Sequence, residues 1–216
     1  NLYPNLTDSE YVPASGNASV LSIASSSFVV GQNTNTNGNG ENFVAWNWKA
    51  GTTSGLSGGT ITPSAYSINA TAGFGIYKYT GNGTSGATIA HGLGKVPQMI
   101  IVKRTDSAPN WQIYHAYAGN TKFLEFTSGA QQTATNRWND TTPTSSVFSL
   151  GNDNDVNGNG NTYVAYVFCN VQGYCKIGNY HGNGQNDGSF IYTGFKPKFI
   201  IIKSDTRISS WDISDF

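Results

Sequence analysis

Charged side chains are scarce in this chain of 216 residues, at 11% of the total, and they cancel to a formal net charge of zero. An ordinary globular protein has roughly 25% charged residues. A protein that binds nucleic acid by neutralising phosphates needs a basic surface, so we expect no nucleic-acid partner. The sequence contains no run of about 18 apolar residues and no heptad pattern. We therefore expect neither membrane insertion nor a coiled coil.

Residues that carry common chemistries are also few. His91, His115 and His181 have no partners at metal-binding or catalytic spacing, so we assign them structural or surface roles. The Gly-x-Ser-x-Gly pattern of a hydrolase nucleophile occurs once, at residues 55–59, in a Gly/Ser/Thr-rich stretch that lacks the strand-to-helix context such a nucleophile needs. Glutamate is rare, so an acid pair for glycoside hydrolysis would depend largely on aspartate. We therefore expect no enzymatic activity.

The two cysteines, Cys169 and Cys175, are too few for a disulfide scaffold. A bridge across so short a loop forms only where the backbone geometry allows it, and the sequence leaves that question open. We expect two free and mostly buried thiols.

The abundant residues are small or aromatic. Glycine occurs 26 times and aromatic residues make up 13% of the chain, which favours a rigid β-structure outside a cell or on a virus particle. Short runs of β-branched and aromatic residues between Gly/Asn turns predict strands. Among them, residues 99–102 and 199–202 are apolar at every position, which predicts burial on both faces. The clearest predicted strands are residues 19–23, 27–30, 43–48, 75–80, 99–103, 111–114, 122–126, 146–150, 163–169, 175–180, 189–192, 199–203 and 211–213.

An internal repeat organises the chain. An Asn-Gly-Asn-Gly stretch at residues 37–40 precedes Phe-Val-Ala-Trp at 43–46, and the same stretch at 157–160 precedes Tyr-Val-Ala-Tyr at 163–166. The offset between these copies is 120 residues. We predict an all-β fold, a β-sandwich or jelly-roll-like arrangement, built from this repeat.

A second block repeats at an offset of 100 residues. Ile-Ile-Val-Lys at residues 100–103 matches Ile-Ile-Ile-Lys at 200–203, and Trp111 matches Trp211. The first copy therefore has about 20 additional residues, which we place in a Gly/Ser/Thr-rich surface excursion at residues 51–71.

The repeat also predicts the domain organisation. The first 30 residues have the length and spacing of residues 121–150, so we assign residues 1–30 to the end of a preceding unit. Residues 31–150 then form a complete unit, and residues 151–216 form the truncated start of a second one. We expect the chain to be a piece of a longer polypeptide.

One segment has the spacing that opens a calcium-binding loop. Asp153, Asp155 and Asn157 place oxygen ligands at positions 1, 3 and 5, and Gly158 follows at position 6. Position 12, where a bidentate Glu would lie, is Val164. The matching segment at residues 33–38 has the same spacing without a carboxylate. A hairpin turn therefore accounts for both segments, whereas calcium binding would account only for residues 153–158.

The tryptophans are candidates for stacking on sugar rings, but repeated aromatic residues in strands usually belong to the core. Trp138 lies in the polar sequence Asn-Arg-Trp-Asn-Asp, so we predict that it is the exposed one and the candidate binding residue. The others are Trp46, Trp48, Trp111 and Trp211.

Several of these motifs, taken in order, are similar to those of large repetitive structural proteins of marine bacteriophages. The resemblance covers nearly the whole chain and implies a tail-fibre-like or other virion-surface protein, and it brings no catalytic residues. The motifs that carry it are residues 43–51, 73–83, 91–94 with Pro97, 100–103, 142–149 and 163–166.

The resemblance and the composition together give the functional expectation. We expect a bacteriophage virion protein in a tail fibre, tail or spike, exposed on the extracellular particle and contacting a host surface glycan or protein. Its partners would be other virion proteins and further copies of itself, with a trimer as the first expectation. It would need no cofactor unless the calcium loop binds its ion. Two alternatives remain, a capsid decoration (cement) protein and an extracellular carbohydrate-binding module.

Overall fold

The computed structural model describes residues 1–11, 17–127 and 129–215, and its regular structure is almost entirely β. One helix of a single turn, α1 (Thr34–Asn37), occurs within these ranges. The predicted all-β fold is confirmed. The strands are β1 (Val20–Ile23), β2 (Phe28–Val30), β3 (Ala65–Asn69), β4 (Phe74–Thr80), β5 (Ala87–Ala90), β6 (Pro97–Arg104), β7 (Gln112–His115), β8 (Lys122–Glu125), β9 (Gln132–Thr133), β10 (Val147–Leu150), β11 (Thr162–Cys169), β12 (Phe199–Ile202) and β13 (Asp212–Asp215).

Seven strands form one antiparallel sheet in the order β3-β4-β11-β6-β7-β8-β9. Strand β11 lies in the interior of the sheet, and its Tyr163 is opposite Tyr79 of β4 on one side and opposite Arg104 of β6 on the other. The β11 sequence Tyr-Val-Ala-Tyr-Val-Phe is apolar on both faces, which suits a strand that is covered above and below.

A second layer covers one face of this sheet. Strands β5 and β10 form an antiparallel pair in which Phe148 lies opposite Ile89, and both side chains are fully buried. They pack with Tyr77, Val102 and Tyr163 of the large sheet in the main hydrophobic core. Two β layers around one core make the fold β-sandwich-like.

The opposite face of the large sheet carries a smaller apolar cluster. Its buried members include Ile101, Trp111 and Ile113, on alternate positions to the residues of the main core. Leu2 from the start of the chain and Trp211 from its last part both pack on this cluster. The two ends of the chain therefore lie on the same face of the sheet.

The large sheet crosses the boundary predicted between residues 150 and 151. Strand β11 belongs to the segment predicted as a truncated second unit (151–216), yet it lies between β4 and β6 of the unit predicted as 31–150. The segment that forms the large sheet runs from β3 to β11. It therefore starts and ends later in the sequence than the predicted unit at residues 31–150. Repeated motifs give a period, but they do not show which strand closes a unit.

The second copy of the repeat is less regular than the first. The sequence predicts strands at residues 43–48, 175–180 and 189–192, but none of these segments lies in a strand of the structure. Burial on both faces is confirmed for β6 but is wrong for β12, where Ile201 and Ile202 are 41% and 39% exposed. Among the described residues, no helix has the length and apolar character needed to cross a membrane.

Candidate functional site

Residues 151–161 contain the candidate calcium loop. They form a turn that is held by hydrogen bonds of its own side chains. Asp155 N donates to Asp153 Oδ1 at 2.8 Å, and Asn157 Nδ2 donates to Gly151 O at the same distance. Asn157 is fully buried and presents a donor, rather than an oxygen ligand, to the loop interior. These bonds close the turn without a cation.

The matching turn at residues 31–41 confirms this reading of the geometry. Asn35 N donates to Asn33 Oδ1 at 2.9 Å, and Asn37 Nδ2 donates to Gly31 O at 2.8 Å. The same two bonds thus form at an offset of 120 in a segment without Asp. The turn conformation therefore depends on the Asx hydrogen bonds and not on carboxylate ligands.

The two carboxylates of the candidate are paired with a guanidinium. Arg137 Nη1 lies 2.5 Å from Asp153 Oδ1 and 2.7 Å from Asp155 Oδ2, and the guanidinium also lies 4.5 Å from the centre of the Phe123 ring. The described part of the chain has no group of three or more His, Cys, Asp or Glu side chains placed to hold a metal ion. The geometry favours an ion-paired turn at this position.

The prediction that Trp138 is exposed is wrong. Its side chain is 1% exposed, packs edge-on against Tyr114 at 5.9 Å, and donates from Nε1 to Lys122 O at 3.0 Å. The next two residues, Asn139 and Asp140, have φ of 54° and 46°, a left-handed conformation that these residue types tolerate. The chain turns back there, so the polar neighbours stay outside while the indole enters the core.

His91 is a fully buried structural residue. Its Nδ1 accepts from Leu93 N at 3.2 Å, so its Nε2 carries the proton and donates to Thr144 O at 3.1 Å. Burial lowers the pKa of His91, with the contact to Thr144 acting in the opposite direction. Both ring nitrogens of His91 are thus used to hold neighbouring loops together.

The remaining histidines and the cysteines do not converge on one site. Burial also lowers the pKa of His115, and Asp205 opposes this shift, whereas His181 is exposed. Both cysteines are free, with Cys169 buried and Cys175 partly buried. Burial raises the pKa of Cys169 to about 11, which keeps it a protonated and unreactive thiol at neutral pH.

Two lysines at the ends of apolar strands are held by backbone carbonyls. Lys103 is fully buried, and burial lowers its pKa while nearby carboxylates oppose the shift. Charge-assisted bonds to several carbonyls compensate the cost of burying its ammonium. Lys103 Nζ donates to Thr7 O at 2.9 Å, Arg104 O at 2.9 Å, Ser107 O at 3.3 Å and Pro109 O at 3.1 Å.

Lys203 repeats this arrangement at an offset of 100. Its Nζ donates to Ser204 O and to Ser209 O, both at 2.9 Å. Burial lowers the pKa of Lys203, and Asp205 opposes the shift. We call residues 97–115, which include β6 and β7, the first lysine hairpin, and residues 199–215, which include β12 and β13, the second lysine hairpin.

The start of the chain docks on the first lysine hairpin. Within residues 1–11, Glu10 N donates to Thr105 O at 2.8 Å, and Tyr3 O accepts a bond of 3.2 Å from Trp111 Nε1. The Lys103 bond to the same segment adds a third attachment. We call residues 1–11 the first docking segment.

A second docking segment, residues 121–127 with 129–131, docks on the second lysine hairpin in the corresponding way. Gln131 N donates to Asp205 O at 2.8 Å, and Glu125 O accepts a bond of 2.9 Å from Trp211 Nε1. Phe126 packs edge-on against Trp211 at 5.1 Å. The positions match those of the first docking segment to within two residues at the offset of 120.

The two contacts define one kind of interface that occurs twice. In each, a docking segment contacts the lysine hairpin that follows it in the sequence, through a backbone bond near the lysine and an indole N–H bond near the tryptophan. The two sides of this contact differ, so it is heterologous.

The sequence contains the signal for these hairpins, although it does not identify them as a site. A lysine closes an otherwise apolar run in both copies, and a tryptophan follows eight residues later. The structural role of the repeated Lys becomes evident only from the backbone carbonyls that surround its Nζ atom in the structure.

The docked surface has no room for a sugar ring. The cavity between the first docking segment and the hairpin has a volume of about 20 Å³, which fits one water molecule. Its lining includes Leu6, Trp111 and Phe126. The interface therefore joins protein to protein.

The fold is all-β, and the described part of the chain contains two similar contacts between a docking segment and a lysine hairpin. Over residues 1–216 the sequence matches a domain family of unknown function, DUF7483, and the chain belongs to that family. No curated protein and no solved structure shows significant similarity to it.

Proposed function

We propose that this chain is a structural repeat module of a bacteriophage particle, exposed on the particle as part of a tail fibre, tail or spike. The observation that carries this proposal is the docking contact that occurs twice between consecutive units. A head-to-tail contact with two different sides extends an array without closing it, which suits an elongated fibre.

The surface of the module supports a role outside the cell. Charged residues are few and sum to zero, and the turns are fixed by side-chain bonds of Asn, Thr and buried Tyr. Tyr79 and Tyr163, stacked at 5.1 Å, donate to Val156 O and Asn154 O at 2.6 Å each and so fasten the loop at residues 151–161. Fixed loops offer proteases few cleavable sites.

The proposed partners are other virion proteins, further copies of this chain as a homo-oligomer, with a trimer as the first expectation, and a host surface glycan or protein. Large apolar side chains exposed on the second copy support an adhesive or assembly surface. Phe190 and Tyr192 are 90% and 78% exposed. In this proposal the chain performs no chemistry and binds no cofactor.

The test is to locate the protein on phage particles with antibodies against the purified chain, imaged by electron microscopy. Label confined to the tail or its fibres is the expected result. Label arranged symmetrically on capsid facets would instead favour a decoration protein, and particles without label would contradict a virion role.

Binding to host cells separates adhesion from the remaining alternative. The purified chain should bind host envelopes without releasing reducing sugars. Binding to soluble glycans in the absence of any particle label would favour a carbohydrate-binding module, and sugar release would favour a hydrolase.

A further inference from the structure

We propose that Glu125 is a positioning residue that links the two lysine hairpins, because its side chain is anchored on the first hairpin while its backbone carbonyl holds the second. Docking of the second hairpin then depends on a first hairpin that is already folded. This inference goes beyond the proposed function, because it holds whatever particle or surface the chain belongs to.

The carboxylate of Glu125 accepts two bonds from the first lysine hairpin. Asn110 Nδ2 donates to Glu125 Oε2 at 2.8 Å, and Gln112 Nε2 donates to Glu125 Oε1 at 3.2 Å. Gln112 lies directly opposite Glu125 in the β7–β8 ladder, so the two side chains are cross-strand neighbours on one face of the sheet. Bonds to a carboxylate are roughly twice as strong as bonds between neutral groups, so both oxygens of Glu125 are held in place.

Gln112 is fully buried and is itself held by a polar network. Its Nε2 also lies 3.2 Å from Asn110 O and 3.4 Å from Asp155 Oδ2. The same Asp155 oxygen accepts a bond from Arg137, so the network reaches the turn at residues 151–161. Turning the Gln112 amide over would place its oxygen against three other oxygens, so Gln112 presents a fixed donor to Glu125.

The backbone of Glu125 faces the second lysine hairpin. Strand β9 pairs with β8 at Lys122 and Phe123, so Glu125 lies past the end of that ladder. Its carbonyl oxygen accepts the bond of 2.9 Å from Trp211 Nε1. The indole thus satisfies an acceptor at the edge of β8, and any shift of Glu125 moves that acceptor away from it.

The arrangement couples two hairpins that share no strand ladder. Among the described residues, β12 and β13 form a separate two-stranded sheet, and the Glu125 carbonyl is one of the groups that hold it. Coupling between two sites is reciprocal, so docking of the second hairpin also fixes the turn of the first hairpin around Asn110. The two hairpins therefore become ordered together.

Hydrogen exchange of the tryptophan indole groups measures this link in the full chain. Isotope-labelled tryptophan gives one signal for each indole, and Trp211→Phe assigns the signal of interest. Asn110→Asp places a second carboxylate against that of Glu125, and the repulsion should make the Trp211 indole hydrogen exchange at least about tenfold faster. The indole of Trp138, which is buried in the main core, should keep its exchange rate.

Glu125→Gln provides the rescue. Alone it should have little effect, because the Asn110 amide can turn over and accept from the new amide. Combined with Asn110→Asp, it removes the repulsion and restores a donor facing a carboxylate, so the Trp211 exchange rate should return to that of the unaltered chain. The matched control is Ala108→Asp, which adds the same charge at an exposed position of the same turn and should leave the rate unchanged.

Unchanged exchange of the Trp211 indole in Asn110→Asp would overturn the proposal. Failure of Glu125→Gln to restore the slow rate would do the same, because repulsion between the two side chains would then not be the cause. Equal acceleration at Trp138 would also overturn it, since Glu125 would then stabilise the whole sheet rather than position the second docking segment.

Discussion

The first and second lysine hairpins have nearly the same sequence pattern but very different burial. Val102 is fully buried, whereas its counterpart Ile202 is 39% exposed, and Ile101 and Ile201 differ as 9% against 41%. The first hairpin lies between β11 and β8 in the large sheet, while among the described residues β12 and β13 form a separate two-stranded sheet. The comparison shows that local sequence suffices to form the hairpin, and that its burial comes from strands far away in the sequence.

Removal of a matched isoleucine should give the largest difference between the hairpins. Ile100 is 1% exposed in the main core, so Ile100→Ala should lower the free energy of unfolding by about 2–5 kcal/mol. Ile200 is only partly buried, and Ile200→Ala should cost less than about half as much, because less contact area is lost. Urea denaturation measures both, and equal costs would show that the second hairpin is as well covered as the first.

Replacement of the two lysines should give the next largest difference. Lys103→Met removes a buried ammonium that bonds four carbonyls and should cost about 2–4 kcal/mol. Lys203 is partly exposed, so water replaces its ammonium and Lys203→Met should cost about 1 kcal/mol. The control is Lys78→Met, at an exposed position of β4, which should leave thermal stability unchanged. A larger loss for Lys203→Met would reverse the comparison.

A smaller effect should appear as pH falls, and it should belong to the first copy alone, because Ile191 occupies the position of His91 in the second. The pKa of His91 is lowered in the folded state, so the unfolded chain takes up this proton first as pH falls below about 6.5. Stability should therefore fall between pH 7.5 and pH 5.5. His91→Asn should flatten that profile in urea titrations.

His115 provides the control for this profile, since burial lowers its pKa as well. The variant His91→Asn should keep the residual slope that His115 contributes, and the double variant with His115→Gln should remove it. An unchanged slope in His91→Asn would contradict the assignment.

Calcium should have the smallest effect. The turns at residues 31–41 and 151–161 form the same bonds, and Arg137 neutralises the carboxylates present only in the second of them. Millimolar calcium should therefore leave the melting temperature unchanged. A rise that disappears in Asp153→Asn would restore the calcium site.

The sequence predicts most of the strands, because turn residues and apolar alternation are local signals. It also predicts that residues 1–30 correspond to residues 121–150, and within these ranges the two docking segments make similar contacts. The segment at residues 43–48 shows the limit of these signals, since its pattern is that of β11 but it lies outside the strands of the structure. Whether such a segment becomes a strand depends on neighbours that local sequence does not specify.

Less of the candidate site than of the fold can be predicted from the sequence. Trp138 is surrounded by polar residues in sequence, and its burial depends on the left-handed turn at Asn139 and Asp140. Lys103 reads as an ordinary charged residue until the chain brings carbonyls from Thr7 and Pro109 around it. Both outcomes depend on contacts between distant parts of the chain, which composition and spacing do not reveal.

The position of β11 between β4 and β6, two strands that precede it in the sequence, has a consequence for synthesis on the ribosome. Strand β4 emerges first, but Thr80 and Phe74 find their partners in Thr162 and Phe168. At translation rates of about 5–20 residues per second, the gap between β4 and β6 stays open for roughly 3–13 s while some 65 residues are added. During that time each nascent unit exposes two strand edges that fit the β11-type strand of any neighbouring chain. Densely loaded polysomes should therefore favour strand exchange between nascent chains, and slow synthesis at low density should favour correct closure.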